Sequence, residues 1–191
     1  MTGRTLRIDF VSDVVCPWCQ IGLANLERAL AKLGDEVPVE LVFHPLQLNP
    51  GLPPEGELAA DNIARKYGIT PDQARSRGGG VRAAADAAGV SMAGRPDRLY
   101  DTFDAHRLLH WAGREGRQLA LKHALLRAYF EHGRVISDHQ VLADAAADAG
   151  LDRDTALQIL ARGDFAAEVA DDEIEWRSEG IASVPTRGIA R

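Results

Sequence analysis

Hydrophobic and polar residues alternate through "TLRIDFV" (residues 5–11), where Leu6, Ile8 and Phe10 stand against Arg7 and Asp9. That period of two predicts a first strand with one dominant buried face. From Pro17 the pattern changes, and "PWCQIGLANLERALAKLG" predicts a helix with proline at its first position and Gly34 just past its end. Alternation returns in "VPVELVF", Val37–Phe43, which predicts a second strand. Strand, helix and strand in that order imply a parallel pair joined by a right-handed crossover.

"HPLQLNPGLPPEGE" is a loop rich in proline and glycine, and beyond it the chain reads as helical. Thr70-Pro71-Asp72-Gln73 has the form of a capping box, but Gly78, Gly79 and Gly80 interrupt the helix it would start and predict a break. Leu119, His123, Leu126 and Phe130 form one helical stripe. Val141, Leu142, Ala145, Ala146 and Ala149 form another, opened by Ser137-Asp138-His139-Gln140. Gly150 ends that helix, Asp152 caps the next through about Ala161, and "DFAAEVADDEIEWRSEG" makes a last helix closed by Gly180. The final "IASVPTRGIAR" has room for one strand at most. Thr186, Ile189 and Ala190 suit it, whereas Arg187 and Gly188 are poor central-strand residues.

A chain of 191 residues with a hydrophobic fraction of 46% suits one domain, or one domain carrying a large insertion. The formal net charge of −6 gives no broad cationic surface, so neither nucleic acid nor an anionic membrane is an expected partner. The N-terminal stretch lacks a long apolar core with a small-residue cleavage site, and no window approaches a membrane span. The expectation is a soluble cytoplasmic protein. Composition matters most at the cysteines: there are two, Cys16 and Cys19, separated by Pro17 and Trp18. They cannot build a multi-bridge framework, and a close pair in a reducing compartment is catalytic or metal-binding more often than structural.

Disulfide exchange needs a thiol ionised near neutral pH, a second thiol in reach to resolve the mixed disulfide, and access for a partner's sulfur. Cys-x-x-Cys at a helix N-terminus is expected to meet all three. The helix dipole and its unpaired N–H groups favour a thiolate at Cys16, the expected nucleophile, while Cys19 lies inside the helix and stays protonated until it attacks. Structural zinc would need further ligands from histidines or carboxylates scattered through the helical region, so no metal is expected. Two inert buried cysteines are the other alternative.

Several segments together carry a resemblance: "SDVVCPWCQIG", "HPLQLNP", "DTFDAHRLLHWAGREG", "ALLRAYFEHGRVISDHQVLADAAADAGLD" and the late "VP". Across nearly the whole chain the sequence resembles the DsbA-like thioredoxin family, in its FrnE-type branch. The resemblance implies an α/β, thioredoxin-like fold interrupted by a large all-helical insertion. The thioredoxin-like part would comprise residues 1–52 and 164–191, and the insertion residues 53–163. It implies thiol-disulfide oxidoreductase or isomerase activity toward polypeptide thiols and disulfides or glutathione. No cofactor is implied, with glutathione the candidate co-substrate. It also implies a cis bond before Pro185, with Val184 and Pro185 presenting backbone to an extended substrate.

Relatives usually continue past that proline with a strand, a hairpin partner and a final helix, whereas this chain has "TRGIAR". The C-terminal hairpin and last helix are therefore expected to be missing. An open sheet edge would then call for a partner chain, with a homodimer as one form, or would signal a weakened fold or a truncated product. Asp9 is a candidate proton relay for Cys19, with a solvated edge position as its alternative. His106 is a candidate substrate-binding residue in the cleft beside the insertion. Pro17 and Trp18 are expected to tune the redox potential, with Trp18 partly exposed. Trp111 and Trp176 read as helix packing, and the acidic residues from Asp144 to Glu175 as solvated faces. Two other functions stay open: a glutathione-dependent transferase or isomerase of the kappa type, whose members generally use serine and lack the second thiol, and a non-catalytic truncated relative.

Overall fold

The computed structural model describes residues 5–34 and 37–190; residues 1–4, where the stretch read for a leader begins, lie outside them. Strand β1 (Leu6–Ser12) leads into helix α1 (Pro17–Leu33) and strand β2 (Val39–Pro45). β1 and β2 pair in parallel from Leu6 opposite Val39 to Ser12 opposite Pro45, as the alternation predicts. Past β2 come β3 (Glu57–Leu58), α2 (Ala59–Tyr67), α3 (Pro71–Ser76), α4 (Gly78–Ala88) and β4 (Arg98–Leu99). Then follow α5 (Phe103–Arg114), α6 (Gln118–Phe130), α7 (His139–Asp148), α8 (Arg153–Arg162), α9 (Ala166–Ser178) and β5 (Thr186–Ala190).

The main sheet has the order β2-β1-β5, with β5 antiparallel to β1. Arg187 and Gly188 are thus accommodated in a strand after all, because β5 lies at an edge and Gly188 pairs with Asp9. β3 and β4 form a separate two-residue antiparallel pair, so the insertion is helical except for this clip.

Local signals explain most boundaries. Thr70 and Gln73 make the capping box in both directions, and Asp152 caps α8 by accepting from the Thr155 N–H. Asp138, and not Ser137, caps α7. The three glycines begin α4 instead of ending α3, with the break one residue earlier at Arg77. On α6 the expected stripe is only half right: Leu119 is 38% exposed, while Leu121, Lys122, Leu125, Tyr129 and Phe130 are buried. This helix is apolar over much of its circumference because neighbours enclose it, so periodicity is a weak guide to its inner face.

One continuous core joins Ile8 and Phe10 of β1, Leu23 of α1 and Phe43 of β2 to Leu108 of α5, Leu121 and Leu125 of α6, Leu142 of α7 and Ile159 of α8. Phe10 and Phe43 meet edge to face at 5.6 Å. Truncating such a ring to alanine typically costs about 3–5 kcal/mol. Arg107 on α5 is buried, pairs with Asp104 and donates to the carbonyls of Asp164 and Ile159, tying α5 to α8 and the turn after it. Trp111 belongs to the core, and Trp176 packs on the His44 ring.

The acidic residues of α9 are not all solvated. Glu173 accepts from the Gln47 N–H and from Arg177, whose guanidinium also donates to the Gln47 carbonyl. His44 bridges two carboxylates, with Nε2 2.9 Å from Asp9 Oδ1 and Nδ1 3.1 Å from Asp172. Burial lowers the His44 pKa, but its bonds to Asp172 and Asp9 outweigh that and raise it above the ordinary histidine value. Burial raises the Asp9 pKa, and Arg7 and His44 more than reverse this.

The signs give a pH window. The His44 contribution is fully present below its unfolded pKa, near 6.5, and is lost as pH rises through its higher folded value. The Asp9 contribution is present above its unfolded value and lost as pH falls through the lowered one. His44→Gln should therefore destabilise by about 1 kcal/mol, or about 2–4 °C in melting temperature, at pH 5–6. The gap from the native protein should narrow toward pH 9. Thermal melts of both proteins across that range check this, and a pH-independent gap would rule out the charged bridge.

Candidate functional site

β1 ends at Ser12, and the turn that follows is entirely buried: Asp13 and Val14 have no exposed surface and Val15 has 2%. Anchored by that turn, Cys16 takes an extended conformation at the N-cap of α1 and Pro17 begins the helix, where its missing N–H costs nothing. The Cys16 carbonyl accepts from the Cys19 and Gln20 N–H groups at 3.0 and 3.3 Å, so the four-residue motif is the first turn of the helix. No acidic residue occupies that turn to oppose an anion.

The two thiols are free and their environments differ. The Cys19 thiol, donating to the Cys16 sulfur, lowers the Cys16 pKa most; burial opposes this, and the N–H groups of Cys19 and Trp18 reinforce it against the charge of Asp13. The net result is a Cys16 thiol more acidic than usual. Burial pushes Cys19 far the other way, and its bond to Cys16 and the charge there push further. Lys122 is the principal charge pulling Cys19 back.

Across from the thiols lies the loop before β5. The Val184–Pro185 bond is cis, and the Cys16 thiol donates to the Val184 carbonyl at 3.7 Å. Gly22 permits this approach, since a Cβ there would sit 3.0 Å from Pro185 Cγ. Trp18 is 48% exposed beside the motif, whereas Cys16 is 3% exposed. A cavity of about 500 Å³ opens between the loop after β2, the start of α5 and α9, lined among others by Leu48, Phe103, Ile174 and Arg177. It reaches Ala182, two residues before Val184.

Behind the thiols the structure assembles a polar group that the sequence reading missed. Asp13 is wholly buried; its Oδ2 accepts from the Leu48 N–H at 2.8 Å and its Oδ1 faces His106 Nε2 at 3.5 Å, with neither of these last two atoms in a formed hydrogen bond. Burial raises the Asp13 pKa, but His106, the Leu48 N–H and Thr102 together hold it below the usual range. Lys122 of α6 is 1% exposed and donates to Ser12 Oγ at 2.8 Å. Burial outweighs Cys19, Asp13 and Cys16, which act to raise the Lys122 pKa, and leaves it below the ordinary lysine value.

The sequence-derived site residues thus separate into groups. Cys16, Cys19, Val184 and Pro185 converge, with Trp18 at the rim. His106 lies at the junction of α5 with the β1–α1 turn, but at 3% exposure it is covered and turned toward Asp13 instead of lining an open cleft. The Asp9 carboxylate is held by Arg7 and His44 at the face toward α9, and the carboxylate whose charge reaches Cys16 is that of Asp13. Among the described residues, no cluster of three or more histidine, cysteine or acidic side chains is placed to hold a metal ion.

A strand running into a buried turn, a Cys-Pro-Trp-Cys helix start and an opposing cis-proline loop reproduce one architecture, and the profile of the DSBA-like thioredoxin domain matches residues 7–190. The chain belongs to the DsbA-like thioredoxin family. Within the DsbA-like structures, a probable DsbA oxidoreductase from Streptomyces coelicolor is 35% identical, with 96% of this chain and 80% of that one covered and a TM-score of 0.86. The cytosolic disulfide reductase DsbM from Pseudomonas aeruginosa is 19% identical, with 97% and 85% covered and a TM-score of 0.59. A 2-hydroxychromene-2-carboxylate isomerase is 13% identical, with 96% and 85% covered and a TM-score of 0.71. The last two share the DsbA-like fold. No curated protein sequence matches.

Proposed function

We propose that this protein is a thiol-disulfide oxidoreductase that exchanges disulfides with polypeptide or small-thiol partners through Cys16 and Cys19. The opposed behaviour of the two thiols carries the reading, because one is held acidic at the helix start and the other is kept protonated one turn inward.

In the reducing direction, the Cys16 thiolate attacks a partner disulfide. A Cys16–partner S–S bond forms, the partner's own S–S bond breaks, and one partner sulfur departs as a thiolate that takes up from water the proton Cys16 lost on ionising. Cys19 then attacks Cys16 Sγ, forming the internal disulfide and releasing the second partner sulfur, which takes up the proton Cys19 gave up. The protein dithiol is oxidised by two electrons and the partner disulfide is reduced to two thiols. Val184 and Pro185 offer backbone to an extended partner chain, Trp18 forms the rim, and the cavity at Ala182 receives flanking groups.

The reading extends to a cytoplasmic, FrnE-type member of the family with glutathione as the candidate small thiol. The likeness to DsbM, a cytosolic disulfide reductase also solved with glutathione, supports the cytoplasmic setting and the small thiol. Among the described residues no helix is long and apolar enough to cross a membrane.

The test is equilibration across graded glutathione redox buffers, followed by alkylation of free thiols and mass analysis. A reversible two-electron transition between Cys16 and Cys19 is expected. Its midpoint states whether the protein gives or takes disulfides, since 30 mV corresponds to about 1.4 kcal/mol. Thiols that never pair reversibly would overturn the reading.

A further inference from the structure

The exchange reading, on which this inference rests, requires Cys19 to ionise inside the protein. Burial opposes that step, so some neighbouring group must make room for the anion. The chain contains three lysines, of which Lys32 and Lys66 are exposed and Lys122 is buried. Its ammonium donates to the neutral Ser12 hydroxyl and stands 5.7 Å from the centre of the Phe43 ring. Among the described residues no carboxylate lies within ion-pair distance of it. An ammonium withdrawn from water without a directly paired carboxylate is costly; the charges that favour it are the buried Asp13 carboxylate, beyond ion-pair distance, and any thiolate formed at Cys19 or Cys16.

The titratable groups facing it come from every element packed around it. Asp13 comes from the turn after β1, Cys16 and Cys19 from α1, and His44 from β2. His106 and His110 belong to α5, and Asp172 to α9. Of these, Cys19, Asp13 and Cys16 are the groups whose negative charge would favour the ammonium, and Ser12, which holds it, directly precedes Asp13 in the turn leading to the thiols.

We propose that Lys122, carried by helix α6 of the insertion, is a positioning residue for the resolving step, its buried ammonium stabilising the Cys19 thiolate that attacks Cys16. The Cys19–Cys16 bond forms, the Cys16–partner bond breaks, and the departing sulfur accepts the proton released by Cys19. Lys122 keeps its own protons throughout. The helical insertion thereby supplies part of the redox centre.

Two measurements test this. A mixed disulfide of Cys16 with glutathione is prepared, and glutathione release is followed against pH in the native protein, Lys122→Met and Lys122→Arg. Lys122→Met should slow release about tenfold at pH 7 and move its pH profile upward, the change expected for a thiol made one pKa unit less acidic. Lys122→Arg, which keeps the charge, should recover most of the rate. An unchanged profile in Lys122→Met, or equal slowing in both variants, would assign Lys122 to packing and overturn the proposal.

If Lys122→Met does not fold, the native protein decides the question. With carbon-13 in its three lysines, the buried signal should titrate at lower pH in the oxidised than in the reduced state, because stabilisation between the two groups is reciprocal. Identical titrations would overturn the proposal while leaving the exchange reading intact. A native mixed disulfide that never releases glutathione would overturn both.

Discussion

Cys16→Ser is expected to abolish disulfide exchange, with a rate loss of roughly a thousandfold or more, because the thiolate is the attacking species and a serine hydroxyl does not ionise near neutral pH. Everything that makes Cys16 acidic acts on a group that must be able to lose its proton: the Cys19 thiol, the N–H groups of Trp18 and Cys19, and the open helix end. A hydroxyl in the same place gains the same hydrogen bonds and remains neutral. The variant should fold normally, since the change is nearly isosteric and a hydroxyl can keep the contacts Cys16 makes with the Cys19 thiol and the Val184 carbonyl. Reduction of a disulfide-containing model peptide, followed by thiol release, checks this. Activity retained within tenfold would remove Cys16 from the mechanism, whereas a native protein with no exchange activity, unchanged by Cys16→Ser, is what a non-catalytic relative would give.

Cys19→Ala should fail differently, and the difference is the more informative result. The first attack survives, but the mixed disulfide on Cys16 has no internal thiol to resolve it and accumulates to one partner per protein. Turnover should fall by roughly a hundredfold or more, the remaining rate being set by external thiol. Mass analysis of the intact adduct reads the trapped state directly. A kappa-type glutathione transferase or isomerase would behave otherwise, because conjugation needs one reactive group and should survive Cys19→Ala. The DsbA-like fold is shared with a 2-hydroxychromene-2-carboxylate isomerase, so this variant, and not the architecture, separates the two activities.

The thiol pair and its helix were legible because short-range physics fixes them: a strand's alternation, proline at N1 and a Cys-x-x-Cys turn all lie within about twenty consecutive residues. Thr70 and Asp152 were readable for the same reason, since a cap is a local hydrogen bond. What escaped was chemistry assembled from distant segments. Lys122 sits 110 residues from Ser12 and looks in sequence like any solvent-facing lysine on a helix. Asp13 lies three residues before Cys16, yet its burial against Leu48 and His106 depends on the loop after β2 and on α5. Asp9 drew attention because it lies on β1 near the cysteines. The strand's geometry and the position of His44 send its carboxylate to α9 instead.

The uninterrupted core has a consequence for how this chain can be divided. The helices from α2 to α8, between β2 and α9, look in outline like a removable module, and a protein engineer would be tempted to cut them out. Phe10, Leu23 and Phe43, however, pack in the same cluster as Leu108, Leu121 and Leu125, and those aromatic faces have no alternative cover. Excision would leave a three-stranded sheet with its apolar side wet, too small a body to hold the cysteine turn in place. Fragment libraries and chimeras of this protein should therefore exchange the insertion together with the strands it covers, as one inherited piece.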